Sequence, residues 1–310
     1  MKLELAPLAG FTDAPFRRLC AEGGADFAYT EMVSAAGLAH GNAPTRQMMD
    51  RMEGEGKLGL QLFGAKEEDF AKAMEGLPTY FEEVNLNAGC PMSKVTREGA
   101  GAKLMEKPEL IYRILKIMVG ATNSPVSLKT RLGPHPQKTN IFEIADAAYQ
   151  AGAKKLIVHA RYTSQMHGGE VGLERLAEVA ERAKLPVIGN GSVCDSKSLK
   201  AMAATGVKGV MIGRAALNRP YIFSQLKGEN AEAPLSLPRR HLEYLIQYHE
   251  QMVRRYPKAH LPSLDAFVSV KMHVHLFRYF NGKPGAAALR ARLNQVRSLA
   301  EINEIMAKYE

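Results

Sequence analysis

One cysteine stands in a setting that suits catalysis. Cys90 lies in Asn87-Ala88-Gly89-Cys90-Pro91, just past a short apolar run. A lone cysteine is more often a buried small hydrophobe than a catalyst. Here the flanking glycine and proline fix a loop, and a thiol with a near-neutral pKa can give a proton to a carbon centre as a general acid. Cys20 and Cys194 read as structural, and three scattered cysteines make neither a disulfide framework nor a zinc site. They fit a reducing, cytoplasmic setting. Other polar residues follow apolar runs in the same way: Gln61, Lys129 with Arg131, and His159 with Arg161. Strands often end in turn formers, which accounts for Asn190-Gly191. That habit does not account for Gln61, Lys129 and His159, whose runs should be buried. Together they read as one polar constellation facing a ligand.

Two glycine-containing loops suggest what the ligand carries. Gly189-Asn190-Gly191-Ser192 and Gly213-Arg214 each follow a short apolar run. Glycines let backbone N–H groups approach a phosphate closely, and an arginine can fork onto its oxygens. The pair suits a phosphorylated cofactor such as FMN, with Lys129 and His159 reaching its ring or ribityl chain. A lysine beside a flavin's N1 side would stabilise the reduced anion. The segment Gly99-Ala100-Gly101-Ala102-Lys103-Leu104 is neither a dinucleotide fingerprint nor a Walker motif. It reads as a mobile loop carrying Cys90. His273-x-His275 would place its rings on different faces of a helix, so no metal is expected.

These residues need a frame that brings loop ends together. The first 215 or so residues alternate short β-like runs with longer amphipathic stretches, the pattern of a parallel sheet. Eight strands are expected at Lys2–Leu5, Asp26–Thr30, Leu58–Leu62, Glu83–Asn87, Val126–Lys129, Lys155–His159, Val187–Gly189 and Gly209–Ile212. Helices are expected at Asp13–Ala21, Glu67–Gly76, Glu109–Met118, Asn140–Ala151, Leu173–Ala183 and Ser196–Ala204, with Gly152 and Gly206 closing two of them. Eight such units predict an α/β fold of the (β/α)8 TIM-barrel type, with active groups at the C-terminal strand ends. Glu31 is read as one of those ends. A linker rich in Ala, Pro and Glu spans Lys227–Pro238, and Asn281-Gly282-Lys283-Pro284 punctuates the helices beyond it. The expected organisation is a catalytic barrel over residues 1–230 and a C-terminal all-helical domain over residues 239–310.

Charge supports that division. The 310 residues carry a net charge of +9, at 46% hydrophobic and 24% charged, as in an ordinary globular protein. Residues 236–310 hold 12 Lys+Arg against 6 Asp+Glu, so two thirds of the excess sits in the last quarter. A solvated helical surface would explain this, and so would a polyanion-facing appendage. No run of about 18 apolar residues exists, so no membrane partner is expected. The acid and proline in Met1–Pro7 argue against a signal peptide.

Taken together, these residues resemble the dihydrouridine synthase family, flavoenzymes that reduce uridine in RNA. The likeness runs across nearly the whole chain. Ala6-Pro7-Leu8-Ala9-Gly10 resembles the family's opening strand and flavin-binding turn, which implies cofactor contacts at Pro7, Leu8 and Ala9. Gln61 matches its flavin-contacting glutamine. Asn87–Pro91, followed by Lys94-Val95 and Gly99–Ala102, is the most specific match, with Cys90 in the place of the general acid. Lys129-Thr130-Arg131 matches its Lys-x-Arg and His159-Ala160-Arg161 its His-x-Arg. Asn190, Gly191 and Ser192, with Gly213 and Arg214, match its phosphate grip. Asn87, Arg131 and Arg161 are the implied substrate-binding residues. Departures are Asn85, where an acid is usual, the stretch Ser164–Gly169, which replaces a Tyr-containing form, and the absence of any Trp.

The resemblance implies two half-reactions: NADPH (or NADH) reduces FMN, then hydride goes to uridine C6 while Cys90 protonates C5. The uridine would have to be flipped out of its tRNA. The helical domain would grip tRNA phosphates, with Arg239, Arg240, Lys271 and Arg278 as contacts and a monomer as the working form. A free-pyrimidine FMN oxidoreductase of the dihydroorotate dehydrogenase type, a flavin- and folate-dependent RNA uridine methyltransferase, and an RNA-binding protein with a vestigial barrel are the competing readings.

Overall fold

The computed structural model describes residues 1–229, 237–280 and 285–309. The linker expected at Lys227–Pro238 and the turn at Asn281–Pro284 fall largely outside them. Eight parallel strands run β1 (Lys2–Leu5), β2 (Phe27–Ser34), β3 (Leu58–Phe63), β4 (Glu83–Ala88), β5 (Val126–Arg131), β6 (Lys155–His159), β7 (Val187–Asn190) and β8 (Gly209–Ile212). Each pairs with the next, and β8 pairs back on β1, so the sheet closes and leaves no edge. The expected (β/α)8 barrel is what the chain forms. Between the strands lie the six expected helices, within two residues at each end, along with shorter turns of helix at Ala35–Ala39, Ala43–Gln47 and Ser93–Thr96.

Alternation along the strands sorts the side chains. On β4 to β6, Val84, Leu86, Leu128, Leu156 and Val158 belong to the large apolar cluster between strands and helices. Residues two apart on the other face point into the barrel. There Glu83, Asn85 and Asn87 climb β4, Ser127, Lys129 and Arg131 climb β5, and Lys155, Ile157 and His159 climb β6. Strand pairing sets Asn85 beside Ser127 and Asn87 beside Lys129. A small apolar cluster of Ala6, Tyr29, Ile157, Ile188 and Met211 fills the space between them.

Two local readings differ. Strand β2 runs to Ser34, not Thr30. Tyr29 pairs with Gly59 and Met32 with Gln61, so β2 carries one extra residue opposite β3. This bulge breaks the period-2 alternation, which is why the sequence pattern ended early there. It places Met32 toward the barrel mouth and makes Glu31 a bulge residue instead of a strand end. The Gly99–Leu104 segment is packed: Gly101–Glu106 forms a 3-10 helix with Leu104 and Met105 fully buried. Gly101, at φ +59, approaches the Cys90 carbonyl so closely that a Cβ would sit 2.6 Å from its oxygen. Those glycines serve contact with the cysteine loop.

Helix Leu237–Arg255 packs on the barrel's first helix, Ala14–Glu22; Leu264–Tyr279 packs on Leu237–Arg255 and on Arg214–Asn218, and Ala286–Leu293 and Leu299–Tyr309 pack on Leu264–Tyr279. Part of the basic excess is used in that docking. Lys271 pairs with Asp13 at 3.0 Å, and Arg240 pairs with Glu22 at 3.0 Å. Lys271 is mostly buried in its pair, whereas Arg240 stays half-exposed beside Glu22. Asp13 also caps its own helix through the Phe16 N–H. Burial would raise its carboxyl, but the charge and hydrogen bond of Lys271 hold it below the usual carboxylate range.

Next to this ion pair His275 stacks on Phe16, with ring centroids 4.9 Å apart, and neither ring nitrogen has a hydrogen-bond partner among the described residues. Burial, then His241, Lys271 and Arg278, hold His275 neutral against the pull of Asp13. Burial likewise lowers His241 to about 4. A histidine neutral when folded and protonated when unfolded gives stability that is full above about pH 6.5 and is lost as pH falls toward the folded pKa. His275→Phe keeps the stacked ring and removes one such group. Calorimetry should show the fall in Tm between pH 7 and pH 5 shrinking by roughly 2–4 °C in this variant. An undiminished fall would mean that His275 is not a buried neutral group.

Candidate active site

The C-terminal strand ends open into a cavity of about 350 Å³, within the usual size of a small-molecule site. Pro7, Leu8 and Ala9 line it beyond β1, with Asn87 and Cys90 at the end of β4. Lys129 and Arg131 enter from β5 and His159 from β6. The last two strands contribute Asn190, Gly191 and Ser192, then Gly213 and Arg214. Two expected residues stand elsewhere. Gln61 is fully buried beneath the cavity and donates to Asn85 at 2.7 Å. Arg161 turns its guanidinium to the Gly168 and Gly169 carbonyls and donates to Ser192 Oγ at 2.7 Å.

Six lining residues are absent from the sequence-based site: Phe11, Met32, Met92, His167, Leu217 and Arg278. Phe11 directly follows Ala6–Gly10, which was a usable signal. Met32 was hidden by the bulge in β2. Arg278 had been read as a tRNA contact. It comes from the docked Leu264–Tyr279 helix, and its guanidinium lies 5.0 Å from the Phe11 ring centre.

Several of these side chains hold the site's own backbone. Asn87 Oδ1 accepts from the Gly89 and Cys90 N–H groups at 3.1 and 3.0 Å, and Asn87 Nδ2 donates to Gln61. Arg131 is 1% exposed and donates to the carbonyls of Gly89, Tyr162 and Met166. It ties the cysteine loop to the 162–166 loop. These bonds give Asn87 and Arg131 a part in positioning the loop, and both also line the cavity. Arg161 likewise fixes Ser192, whose φ of +56 is uncommon for a residue with a side chain. Gly191 has φ +135, and a Cβ there would come within 2.9 Å of Val171 and 3.2 Å of His159.

Electrostatics sets the character of the cavity. Among the described residues Lys129, Arg131, Arg214 and Arg278 line it, and no carboxylate does. Burial, then Arg131, lowers Lys129 to about 8. Burial, then Lys129, Arg131 and Arg161, hold His159 neutral. Arg161 has only donors, so its 3.3 Å contact makes His159 Nε2 an acceptor and leaves the ring proton on Nδ1. Burial and Arg214 together lower Arg278. The donor set fits a phosphate monoester. The apolar surface of Pro7, Leu8, Phe11, Met32 and Leu217 fits a flat ring system. FMN combines the two, so these residues fit that cofactor. Among the described residues no group of three or more His, Cys, Asp or Glu side chains could hold a metal ion. No described helix is long and apolar enough to cross a membrane.

Comparison with known proteins agrees with this geometry. The family model described as Dihydrouridine synthase (Dus) matches residues 4–309. A protein of Synechocystis sp. named "Probable tRNA-dihydrouridine synthase 1" is 32% identical, covering 97% of this chain and 84% of that one. "tRNA-dihydrouridine synthase B" of Yersinia pestis is 35% identical over 72% of this chain and 70% of its own. Its namesake in Escherichia coli (strain K12) is 34% identical over 73% and 71%. The match spans both the barrel and the helices docked on it, and the chain belongs to the dihydrouridine synthase family.

Proposed function

We propose that this protein is a tRNA-dihydrouridine synthase. In this reading the cavity holds FMN, NADPH or NADH is the reductant, and Cys90 is the acid that protonates uridine C5. The observation that carries it is the cavity's makeup among the described residues: four cationic side chains, no carboxylate and one cysteine at the mouth of a closed barrel. Arg214, Gly213 and the Asn190–Ser192 loop would hold the phosphate. When bound, the flavin supplies hydride chemistry that no side chain can.

The chain's own residues do the rest. Cys90, half-buried, holds a proton at Sγ beside the cavity, on a loop fixed by Asn87 and Arg131. Lys129 Nζ lies 3.4 Å from Asn190 Oδ1, close enough to place positive charge against the bound ring. His159 presents Nδ1–H as a donor. The cavity is recessed at the barrel mouth, so a base must leave its stack to enter. Arg239, Arg240, Lys271 and Arg278 are the RNA-facing candidates of the helical segment, residues 239–310, which we take as the tRNA-binding part. Arg278, in the cavity wall, would meet either the RNA or the flavin phosphate.

The test is nucleoside mass spectrometry of unmodified tRNA incubated with the protein, FMN and NADPH. Dihydrouridine should form. Cys90→Ala should keep its flavin and lose at least about a hundredfold in product rate, the low end of a general acid's contribution. In a parallel incubation that also holds methylenetetrahydrofolate as the carbon source, formation of 5-methyluridine instead would move the protein to folate-dependent methyl transfer. Dihydroorotate turnover with no tRNA product would make it a free-pyrimidine enzyme.

A further inference from the structure

Asn87 does not end at the cysteine loop. Below it a line of side chains descends through the barrel interior. Asn87 Nδ2 donates to Gln61 Oε1 at 2.8 Å, and Gln61 Nε2 to Asn85 Oδ1 at 2.7 Å. Asn85 Nδ2 donates to Ser127 Oγ at 2.6 Å, and Ser127 donates to Glu83 Oε1 at 2.5 Å. Glu83 closes the line in an ion pair with Lys155 at 2.7 Å, at the opposite end of the barrel from the cavity. Asn85, Gln61 and Ser127 are fully buried.

The direction of this line follows from its two ends. A carboxylate accepts only, and the Gly89 and Cys90 N–H groups donate only. Between them stand three carboxamides and one hydroxyl, each able to face either way. The single arrangement that satisfies every member has each amide's nitrogen toward Glu83 and its oxygen toward Cys90. Asn85 is the weak point. Its carboxamide could turn over, and its Nδ2 contact with Ser127 is what prevents this. Turning it would set nitrogen against nitrogen at Gln61, and relief of that clash would pass up to Asn87 and leave the Gly89 and Cys90 amides without an acceptor. Hydrogen bonds in such chains also polarise one another, so the Glu83 charge strengthens the last link.

We propose that Glu83 and Ser127 are positioning residues for Cys90, acting through Asn85, Gln61 and Asn87 from the far end of the barrel. The inference rests on the reading of Cys90 as the acid only for its effect on rate. Its structural part is independent of that reading.

The test uses the FMN-loaded full-length protein. Hydrogen–deuterium exchange is followed in the peptide carrying Gly89 and Cys90, with turnover on tRNA measured in parallel. Ser127→Ala should speed exchange of those amides roughly tenfold, the worth of about one hydrogen bond. It should lower kcat, with KM for tRNA unchanged. Adding Asn85→Asp to Ser127→Ala should restore slow exchange to within about twofold, because a carboxylate at 85 accepts from Gln61 whichever way it turns. A purely structural role for Ser127 gives no such rescue. Exchange unaffected by Ser127→Ala, or still fast in the double variant, would overturn the proposal. If Ser127→Ala does not fold, the isosteric Glu83→Gln, alone and with Asn85→Asp, gives the same two readings. Coupled exchange without any dihydrouridine would sustain this relay and sink the proposed function. Dihydrouridine formation with uncoupled exchange would do the reverse.

Discussion

Crowding of like charge at the barrel mouth is the constraint around which the rest is arranged. Lys129, Arg131, Arg214 and Arg278 share one cavity with no carboxylate among its described lining residues. Such a set is costly unless each member finds compensation. Arg131 finds it in three backbone carbonyls. His159 stays neutral, and Lys129 drops to about 8. Arg214 and Arg278 face the same space, and what would neutralise them best is a bound anion. The cavity's polarity is thus a statement about its ligand as much as about its fold.

Holding that arrangement falls to two polar systems built into the scaffold. Inside the barrel, the alternation of β4 and β5 stacks Glu83, Asn85 and Asn87 beside Ser127 and Lys129, so the cysteine loop hangs from a satisfied network. Outside it, Asp13 caps the first helix and pairs with Lys271, which seats the Leu264–Tyr279 helix and brings Arg278 to the cavity. A residue from the end of the chain thereby completes a site made mainly from strand ends. That geometry links whatever the helical segment binds to the cavity it borders.

The barrel was legible because closed parallel strands leave a strong periodic trace, and seven of the eight expected strands start at the observed residue. Most of the cavity lining was legible too, since residues at strand ends converge in this fold whatever their type. What could not be read was the aim of individual side chains. Gln61 and Arg161 stand at strand ends, but one points below the cavity and the other into a loop. The net positive tail was visible as a count, whereas its partners on the first helix are distant in sequence. The Glu83-Val84-Asn85-Leu86-Asn87 alternation did carry a signal. Polar residues at every second position of a buried strand imply an internal polar face, and their partners on β3 and β5 become evident only from strand register.

The most direct test of the electrostatic account is to titrate flavin-free protein with FMN and with riboflavin, which differ only by the phosphate. Phosphate-directed cations should make FMN bind at least about a hundredfold more tightly, the equivalent of one or two charge-assisted hydrogen bonds. That preference should shrink as salt rises. Equal affinity for the two flavins would contradict a phosphate site at Arg214 and the Asn190–Ser192 loop.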